Sequence, residues 1–115
     1  MNVLSNGTIT YADSSLWSYA AFGSYGNLLA GQNNHLVATK SGSLVTIYLN
    51  GNVIVSQNFG GPITQTNNTL YIGAYDGSSG FFSGQIPVSK IYNRALTASE
   101  IRDNYFHYKT RFNLP

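Results

Sequence analysis

Short apolar runs, separated by turn residues, occupy most of the chain and predict β-strands. The clearest pair is 44–49 and 52–57, which flank the dipeptide Asn50-Gly51. Asn-Gly is a preferred two-residue hairpin turn because both residues tolerate positive φ angles. Residues 34–40 form a third predicted strand before this hairpin. Runs that recur about every eight to twelve positions are typical of an all-β sandwich or barrel.

The ends of the chain carry weaker strand patterns. In the first third, residues 7–12 alternate as a strand, residues 16–22 fit either a strand or an irregular aromatic loop, and residues 27–30 fit a short strand. Towards the end, residues 70–74 and 84–92 are predicted as the last two strands, with a glycine-rich loop between them.

A helical period occurs once, near the end of the chain. Three large apolar residues lie on one helical face: Ile101, Tyr105 and Tyr108. Thr97 precedes them, with Glu100 three residues later, and this spacing is a capping box in which each side chain bonds the other residue's backbone N–H. The pattern predicts a helix over 97–109 and a docked tail over 110–115.

The composition fits one compact domain. The chain has 115 residues, of which 43% are hydrophobic and 9% are charged, against roughly 25% charged in typical soluble domains. There is no cysteine, which excludes disulfides, thiolate metal sites and cysteine nucleophiles. We therefore predict a single domain over 1–115, with poorly defined strands in 1–33, core strands in 34–96, and then the helix and tail.

The charge pattern and the lengths of the apolar runs argue against nucleic acids and membranes as partners. Six Lys and Arg against four Asp and Glu give a net charge of +2, and five of the six cations lie at or after Lys90. Nucleic-acid sites need denser basic clusters, so we interpret these cations as a solvated helix face and tail. No run approaches the ~18 apolar residues of a membrane span. Neither nucleic-acid binding nor membrane insertion is predicted.

Three sequence blocks follow one another in order: residues 35–39 with 47–51, residues 70–73, and residues 82–86 with 91–101. They contain His-Leu-Val-Ala-Thr with Ile-Tyr-Leu-Asn-Gly, Leu-Tyr-Ile-Gly, and Phe-Ser-Gly-Gln-Ile with Ile-Tyr-Asn-Arg-Ala-Leu and Ser-Glu-Ile. Together they resemble laminin-G-like, concanavalin A-like domains. The resemblance implies an all-β jelly-roll sandwich with one short C-terminal α-helix, and a binding or structural module rather than an enzyme.

The chain departs from this family in two respects. The family usually carries an acidic residue shortly after the Phe-x-Gly-x-Ile strand begins, where this chain has Pro87, Val88 and Ser89. Complete domains are also longer, so the sandwich is minimal, is completed by another chain, or ends a longer fibre protein. Because an open sheet edge favours pairing, we predict an oligomer, most readily a trimer, or a contact with other virion proteins.

Catalysis is not predicted, because the acidic residues are few and scattered. Glycosidases of this fold need two carboxylates at a fixed separation across the sugar. Of the four acids, Glu100 is used by the helix cap and Asp103 lies on the helix. The other two, Asp13 and Asp76, are far apart in the sequence. Neither histidine accompanies a nucleophile elbow.

Aromatic residues beside polar loops are the candidate glycan contacts, because sugar C–H groups pack on aromatic faces. The candidates are Trp17, Tyr19, Tyr25, Tyr75 and Phe81. For Trp17 and Tyr19 the alternative is a place in the core or in a subunit interface. The remaining tyrosines and phenylalanines on strands and helix are predicted to pack in the core: Tyr48, Tyr71, Phe82, Tyr92, Tyr105 and Tyr108.

The loop over 76–80 offers one carboxylate with several hydroxyl and carbonyl oxygens. Calcium takes oxygen ligands, and the resemblance implies a calcium at the rim of the sandwich. Asp76 is the candidate ligand, with Asp13 as the second. The alternative is an ordinary turn.

We interpret the chain as a non-catalytic virion structural module, such as a capsid decoration, head fibre or tail-fibre domain, that contacts glycans. The virion origin comes from the ending over 104–113, which resembles laminin-G-like domains of phage and other viral structural proteins. The alternative is a carbohydrate-binding module of a bacterial surface protein or enzyme. The expected partners are other virion proteins, copies of the same chain and surface glycans. The expected location is the virion, or else the extracellular space or cell surface.

Overall fold

A computed structural model describes residues 2–3, 7, 9–10, 28–58, 60–64 and 67–115. They form, in order, β1 (Asn2–Val3), β2 (Ile9–Thr10), β3 (Leu36–Ser41), β4 (Leu44–Leu49), β5 (Asn52–Asn58) and α1 (Ala98–Phe112). Strands β1 and β2 pair antiparallel, and β3, β4 and β5 form an antiparallel sheet with β4 in the centre. The predicted segment at 16–22 lies outside the described residues.

The β4–β5 hairpin turns through Asn50-Gly51, as predicted. Asn50 has a φ of 50° and Gly51 a φ of 81°, and positive φ at both central residues is what a type I′ turn requires. The pairing with β5 shifts between Ile47 and Tyr48. This irregularity is a β-bulge, which increases the local twist of the ladder.

Strand β4 has buried side chains on both faces, although Leu44 at its start is exposed. Side chains alternate along a strand, so Val45 and Ile47 share one face, where both are fully buried against Ile9 of β2. The opposite face carries a second buried cluster: Tyr48, Leu96 and Ile101. Because Ile101 belongs to α1, the helix packs against the Tyr48 end of the face of β4 opposite Ile9.

Helix α1 has the cap that the sequence predicts. Thr97 Oγ1 accepts a hydrogen bond from the Glu100 N–H at 3.2 Å, and Glu100 Oε2 accepts one from the Thr97 N–H at 2.8 Å. The helix runs to Phe112, past the predicted end, and stops where Asn113 adopts a left-handed conformation with φ 51°. Leu114 follows and is buried, so the tail docks as expected.

Residues 67–96 contain no strand, which corrects the prediction of strands at 70–74 and 84–92. A backbone hydrogen bond joins the Phe82 N–H, just before the second segment, to the Gly73 oxygen of the first (2.8 Å), but a strand needs a repeated ladder of such bonds. The large apolar side chains of these segments are exposed: Leu70, Ile72, Ile86, Val88 and Ile91. A short apolar run alone therefore does not make a strand here.

The predicted short strand at 27–30 is also wrong for its described part, residues 28–30. Leu28 donates a backbone hydrogen bond to the Gly7 carbonyl at 3.1 Å and packs beside the core. The chain then turns at Gly31, where φ is 76°. A positive φ takes the backbone out of the extended conformation, so this segment is a link that leads into β3.

Candidate functional site

The side chain of Asp76 closes the predicted polar loop. Its Oδ1 accepts hydrogen bonds from the Ser78 N–H (2.7 Å), the Ser78 hydroxyl (2.9 Å) and the Ser79 N–H (2.7 Å). Its Oδ2 accepts one from the Ser79 hydroxyl (3.0 Å). Asp favours turns because its short side chain reaches backbone N–H groups just ahead in the chain. The carboxylate therefore sets the shape of this loop.

The same hydrogen bonds determine the charge of Asp76. They lower the pKa of its carboxyl below the ordinary value, with the Ser78 N–H as the largest cause and the Ser78 and Ser79 hydroxyls next. Hydrogen bonds to a carboxylate favour its ionised form. The loop thus presents one fixed negative charge at neutral pH.

The base of the loop is constrained as well. The Tyr75 N–H donates to the Ser79 carbonyl at 3.1 Å. Gly80 has a φ of 66°, and a Cβ at this position would lie 2.5 Å from Tyr75 Cβ. Only glycine fits such a position without displacing the neighbouring chain. The ends of the loop are therefore held close together.

Aromatic side chains flank this loop on both sides. Tyr75 is 57% exposed and Phe81 is 70% exposed, so both predicted candidates are open to a ligand. Tyr71 and Phe82 are also exposed, which corrects their assignment to the core; their segments join no sheet that could cover them. Tyr71 Oη lies 3.6 Å from the place that a Cβ on Gly77 would take, so this ring lies along the loop. We call residues 71–82 the aromatic loop.

The remaining aromatic residues are predicted either for the core or for a binding site. Tyr48 and Tyr105 are buried as predicted, Tyr108 is half-buried, and Tyr92 is exposed, which corrects its assignment to the core. Four candidates lie outside the described residues: Asp13, Trp17, Tyr19 and Tyr25. The structure thus brings two of the five glycan candidates together, around Asp76.

Glu100 has a structural partner besides the helix cap. Arg94 Nη1 donates to its Oε2 at 2.9 Å, and Arg94 Nη2 donates to its Oε1 at 2.6 Å. The hydrogen bond from Arg94 is the largest cause that lowers the pKa of Glu100 to about 2, followed by the one from the Thr97 N–H. Its carboxylate is therefore engaged in holding the start of α1.

The described residues supply only part of a calcium site. Within them, no group of three or more His, Cys, Asp and Glu side chains could hold a metal ion. Calcium takes six to eight oxygen ligands, and the Asp76 carboxylate already accepts four hydrogen bonds from the two serines. Calcium ligation by Asp76 and Asp13 remains a prediction.

The sequence profile of a laminin-G type in the concanavalin A-like lectin/glucanases superfamily matches residues 2–102. The chain belongs to this superfamily. The described antiparallel sheet and C-terminal helix are accordingly part of a concanavalin A-like jelly roll. No curated protein matches the sequence of this concanavalin A-like domain.

A solved structure is similar to the concanavalin A-like domain over most of its length. It is the crystal structure of an S-layer domain-containing protein (residues 221–444) from Clostridium thermocellum ATCC 27405, with a TM-score of 0.60 and 26% sequence identity. The match covers 70% of this chain and 42% of the other. The chain therefore spans less than half the length of that structure.

Laminin-G-like and concanavalin A-like domains are generally non-catalytic binding modules, although their superfamily includes glucanases. Of the acids in the described part of this concanavalin A-like domain, Asp76 closes a turn, Glu100 pairs with Arg94, and Asp103 lies on α1. Hydrolysis of a glycoside requires two carboxylates that face each other across the sugar. Among the described helices, none has the length and apolar character needed to cross a bilayer.

Proposed function

We propose that this domain is a non-catalytic carbohydrate-binding module at an extracellular surface, and that its aromatic loop contacts the sugar. One observation carries the proposal: Tyr75 and Phe81 are exposed on either side of a turn that Asp76 closes. The superfamily match supports a binding or structural role for the whole domain.

The aromatic loop has the chemical groups that a saccharide needs. Exposed aromatic rings on a constrained turn offer apolar faces to sugar C–H groups, and clustered exposed apolar groups mark interaction sites. The hydroxyls of Ser78 and Ser79 lie between these rings in sequence; both donate to the Asp76 carboxylate and keep acceptor lone pairs that are suited to sugar hydroxyls. Ligand sites commonly combine apolar walls with a few fixed polar groups in this way.

A bacterial cell surface is the proposed location. It is supported by the likeness to a protein that contains an S-layer domain. The expected virion structural role, as a capsid decoration, head fibre or tail-fibre domain, is supported by the sequence over 104–113 alone. Both locations would present the aromatic loop to external glycans, and they differ in the partner that the rest of the domain contacts.

A glycan array with matched variants tests the proposal. We expect saturable binding of one glycan group by the natural chain. Tyr75→Ala/Phe81→Ala should weaken the affinity about tenfold or more, because it removes both exposed rings of the loop; a factor of ten corresponds to about 1.4 kcal/mol. Tyr92→Ala is the control, because Tyr92 is an exposed aromatic outside the aromatic loop. Equal binding by the double variant and the natural chain would contradict the proposal.

Two further measurements belong to the same experiment. We predict that Trp17→Ala also weakens binding, as the sequence pattern of the N-terminal aromatics suggests.

Light scattering on the same samples gives the molecular mass. We predict the mass of an oligomer, because the segment 70–92 exposes many large apolar side chains. A stable monomer would overturn the predicted assembly. A tight oligomer that binds no sugar would contradict the lectin role and favour the virion structural role.

A further inference from the structure

A cleft of about 230 Å³ lies between the β4–β5 turn and helix α1, and it shares no residue with the aromatic loop. The turn contributes residues 50–52, and the helix contributes four side chains: Arg102, Tyr105, Phe106 and Lys109. These four positions follow the i, i+3, i+4, i+7 spacing of a single helix face. The helix therefore places two cations and two aromatic rings on the face that meets the turn.

The floor of this cleft is held in place. Gly51 lies so close to the Tyr105 ring that a Cβ on Gly51 would be 2.9 Å from Tyr105 Cδ1. The Tyr105 hydroxyl donates to the Pro115 carbonyl, which fixes the other end of the ring. On the turn side, Asn50 Oδ1 accepts a hydrogen bond from the His35 N–H at 2.8 Å. The turn and the ring are therefore positioned before any ligand binds.

The helix side of the cleft carries two cations that have no ion-pair partner among the described residues. Lys109 Nζ lies 5.5 Å from the centre of the Tyr105 ring. In the part of the chain that the structure describes, neither Arg102 nor Lys109 is within ion-pair distance of a carboxylate. Phe106, between them on the helix, is 58% exposed. Two cations thus flank an open aromatic side chain.

The turn side adds an amide group that can form hydrogen bonds with sugar hydroxyls. Asn52 Nδ2 donates to the Asn50 carbonyl at 3.2 Å, which orients its amide. The carbonyl oxygen of that amide and its second N–H have no partner among the described residues. An amide with free donor and acceptor groups can bond a sugar hydroxyl in either direction.

We propose that this cleft binds a carboxylated sugar residue, such as a uronic or sialic acid unit of an acidic glycan. Arg102 and Lys109 bind the carboxylate, Phe106 packs on the C–H face of the ring, and Asn52 bonds a hydroxyl. Arg is suited to this task because its guanidinium can bond both oxygens of one carboxylate. The volume is below the roughly 300–1,000 Å³ of pockets that enclose drug-sized ligands, which fits one sugar unit.

This site is independent of the aromatic loop, and the experiment keeps the two apart. The probes are trigalacturonate and 3′-sialyllactose, each compared with a neutral counterpart, galactotriose or lactose. Backbone amide shifts in NMR locate binding, and calorimetry gives Kd. We expect at least one acidic probe to shift the amides of residues 50–52 and 102–109, and the neutral counterparts to leave them unchanged. Tyr75→Ala/Phe81→Ala retains this binding.

Charge variants give the decisive comparison. Arg102→Gln/Lys109→Gln raises Kd about tenfold or more, because it removes both cations that bond the carboxylate, and charge-assisted hydrogen bonds are stronger than neutral ones. Lys90→Gln/Arg111→Gln removes the same number of charges outside the cleft and changes Kd less than about twofold, as expected for surface charges. The proposal is overturned if neither acidic probe shifts the cleft amides, or if both charge variants weaken binding equally. Equal binding of hexaglutamate would also overturn it, since that result indicates a general anion site.

Discussion

Two regions of this domain carry similar apolar side chains but bury them to different extents. In residues 36–58, Val45 and Ile47 are fully buried, whereas in residues 67–96 Leu70 is 68% exposed and Ile91 is 69% exposed. We call the first the sheet region and the second the connecting region. Both are rich in isoleucine, leucine, valine and tyrosine. The difference therefore does not come from composition.

The number of hydrogen-bonded neighbours separates the two regions. Strand β4 pairs with β3 on one side and with β5 on the other, from Leu44 to Leu49. In the connecting region, the Phe82 N–H donates a backbone hydrogen bond to the Gly73 oxygen, but no ladder forms there. Preference for a strand is a measure of fit to a pleated, half-buried surface, and of the two regions the sheet region provides that surface.

The largest effect is expected from matched truncations in the two regions. Ile47→Ala removes a fully buried side chain and leaves a cavity, so we expect a loss of about 2–5 kcal/mol in the free energy of unfolding. Ile72→Ala removes the same atoms from a side chain that is 55% exposed, and we expect a change within about 0.5 kcal/mol. Urea unfolding measures both. Similar losses would show that Ile72 is covered in solution, and would refute the contrast between the regions.

A second pair of variants compares one glycine from each region. Gly51 and Gly73 have nearly equal φ angles, 81° and 77°. A new Cβ on Gly51 would collide with the buried Tyr105 ring at 2.9 Å, whereas one on Gly73 would lie 3.4 Å from Ile86 Cδ1. We expect Gly73→Ala to cost about 1–2 kcal/mol of backbone strain, because its φ is left-handed. Gly51→Ala adds about 1–3 kcal/mol of overpacking. Thermal unfolding of the two variants checks this order, and equal losses would show that backbone strain alone acts.

The smallest effect concerns the junction where Arg94, from the connecting region, meets Glu100 of α1. The folded-state pKa of Glu100 is about 2, below its ordinary value of 4.5. Its ionised form therefore stabilises the fold above about pH 4.5, and this contribution is lost as the pH falls through about 2. Glu100→Gln removes that part of the pH dependence. Unfolding midpoints between pH 5 and pH 2 measure it, and a profile unchanged from the natural chain would contradict the role of Glu100.

The ordered elements could be predicted because their signals are local. Asn50-Gly51 specifies its turn through the φ preferences of two residues. Thr97 and Glu100 specify the start of α1 through bonds that span three positions. The connecting region could not be predicted in the same way, because a strand depends on neighbours that are distant in the sequence.

The candidate site could also be predicted in part from the sequence. The Asp76 turn follows from its own residues, and Tyr75 and Phe81 flank it in the sequence. The exposure of Tyr71 and Phe82 was missed, because they were assigned to the core as aromatic residues of predicted strands. The cleft on α1 was missed too, since its cations were interpreted as a solvated face. Helical spacing of its four residues was the available signal, but the turn that completes the cleft is remote in the chain.

The contact between Gly51 and Tyr105 also has a consequence for the order of folding. Hairpins form within about 1–10 μs, so the β4–β5 turn can form before α1 docks. A hairpin with its strands slipped by one residue would place a side chain where Gly51 meets Tyr105, at the 2.9 Å that no Cβ tolerates. The docked position of the helix is therefore compatible with the native hairpin register and disfavours a slipped one.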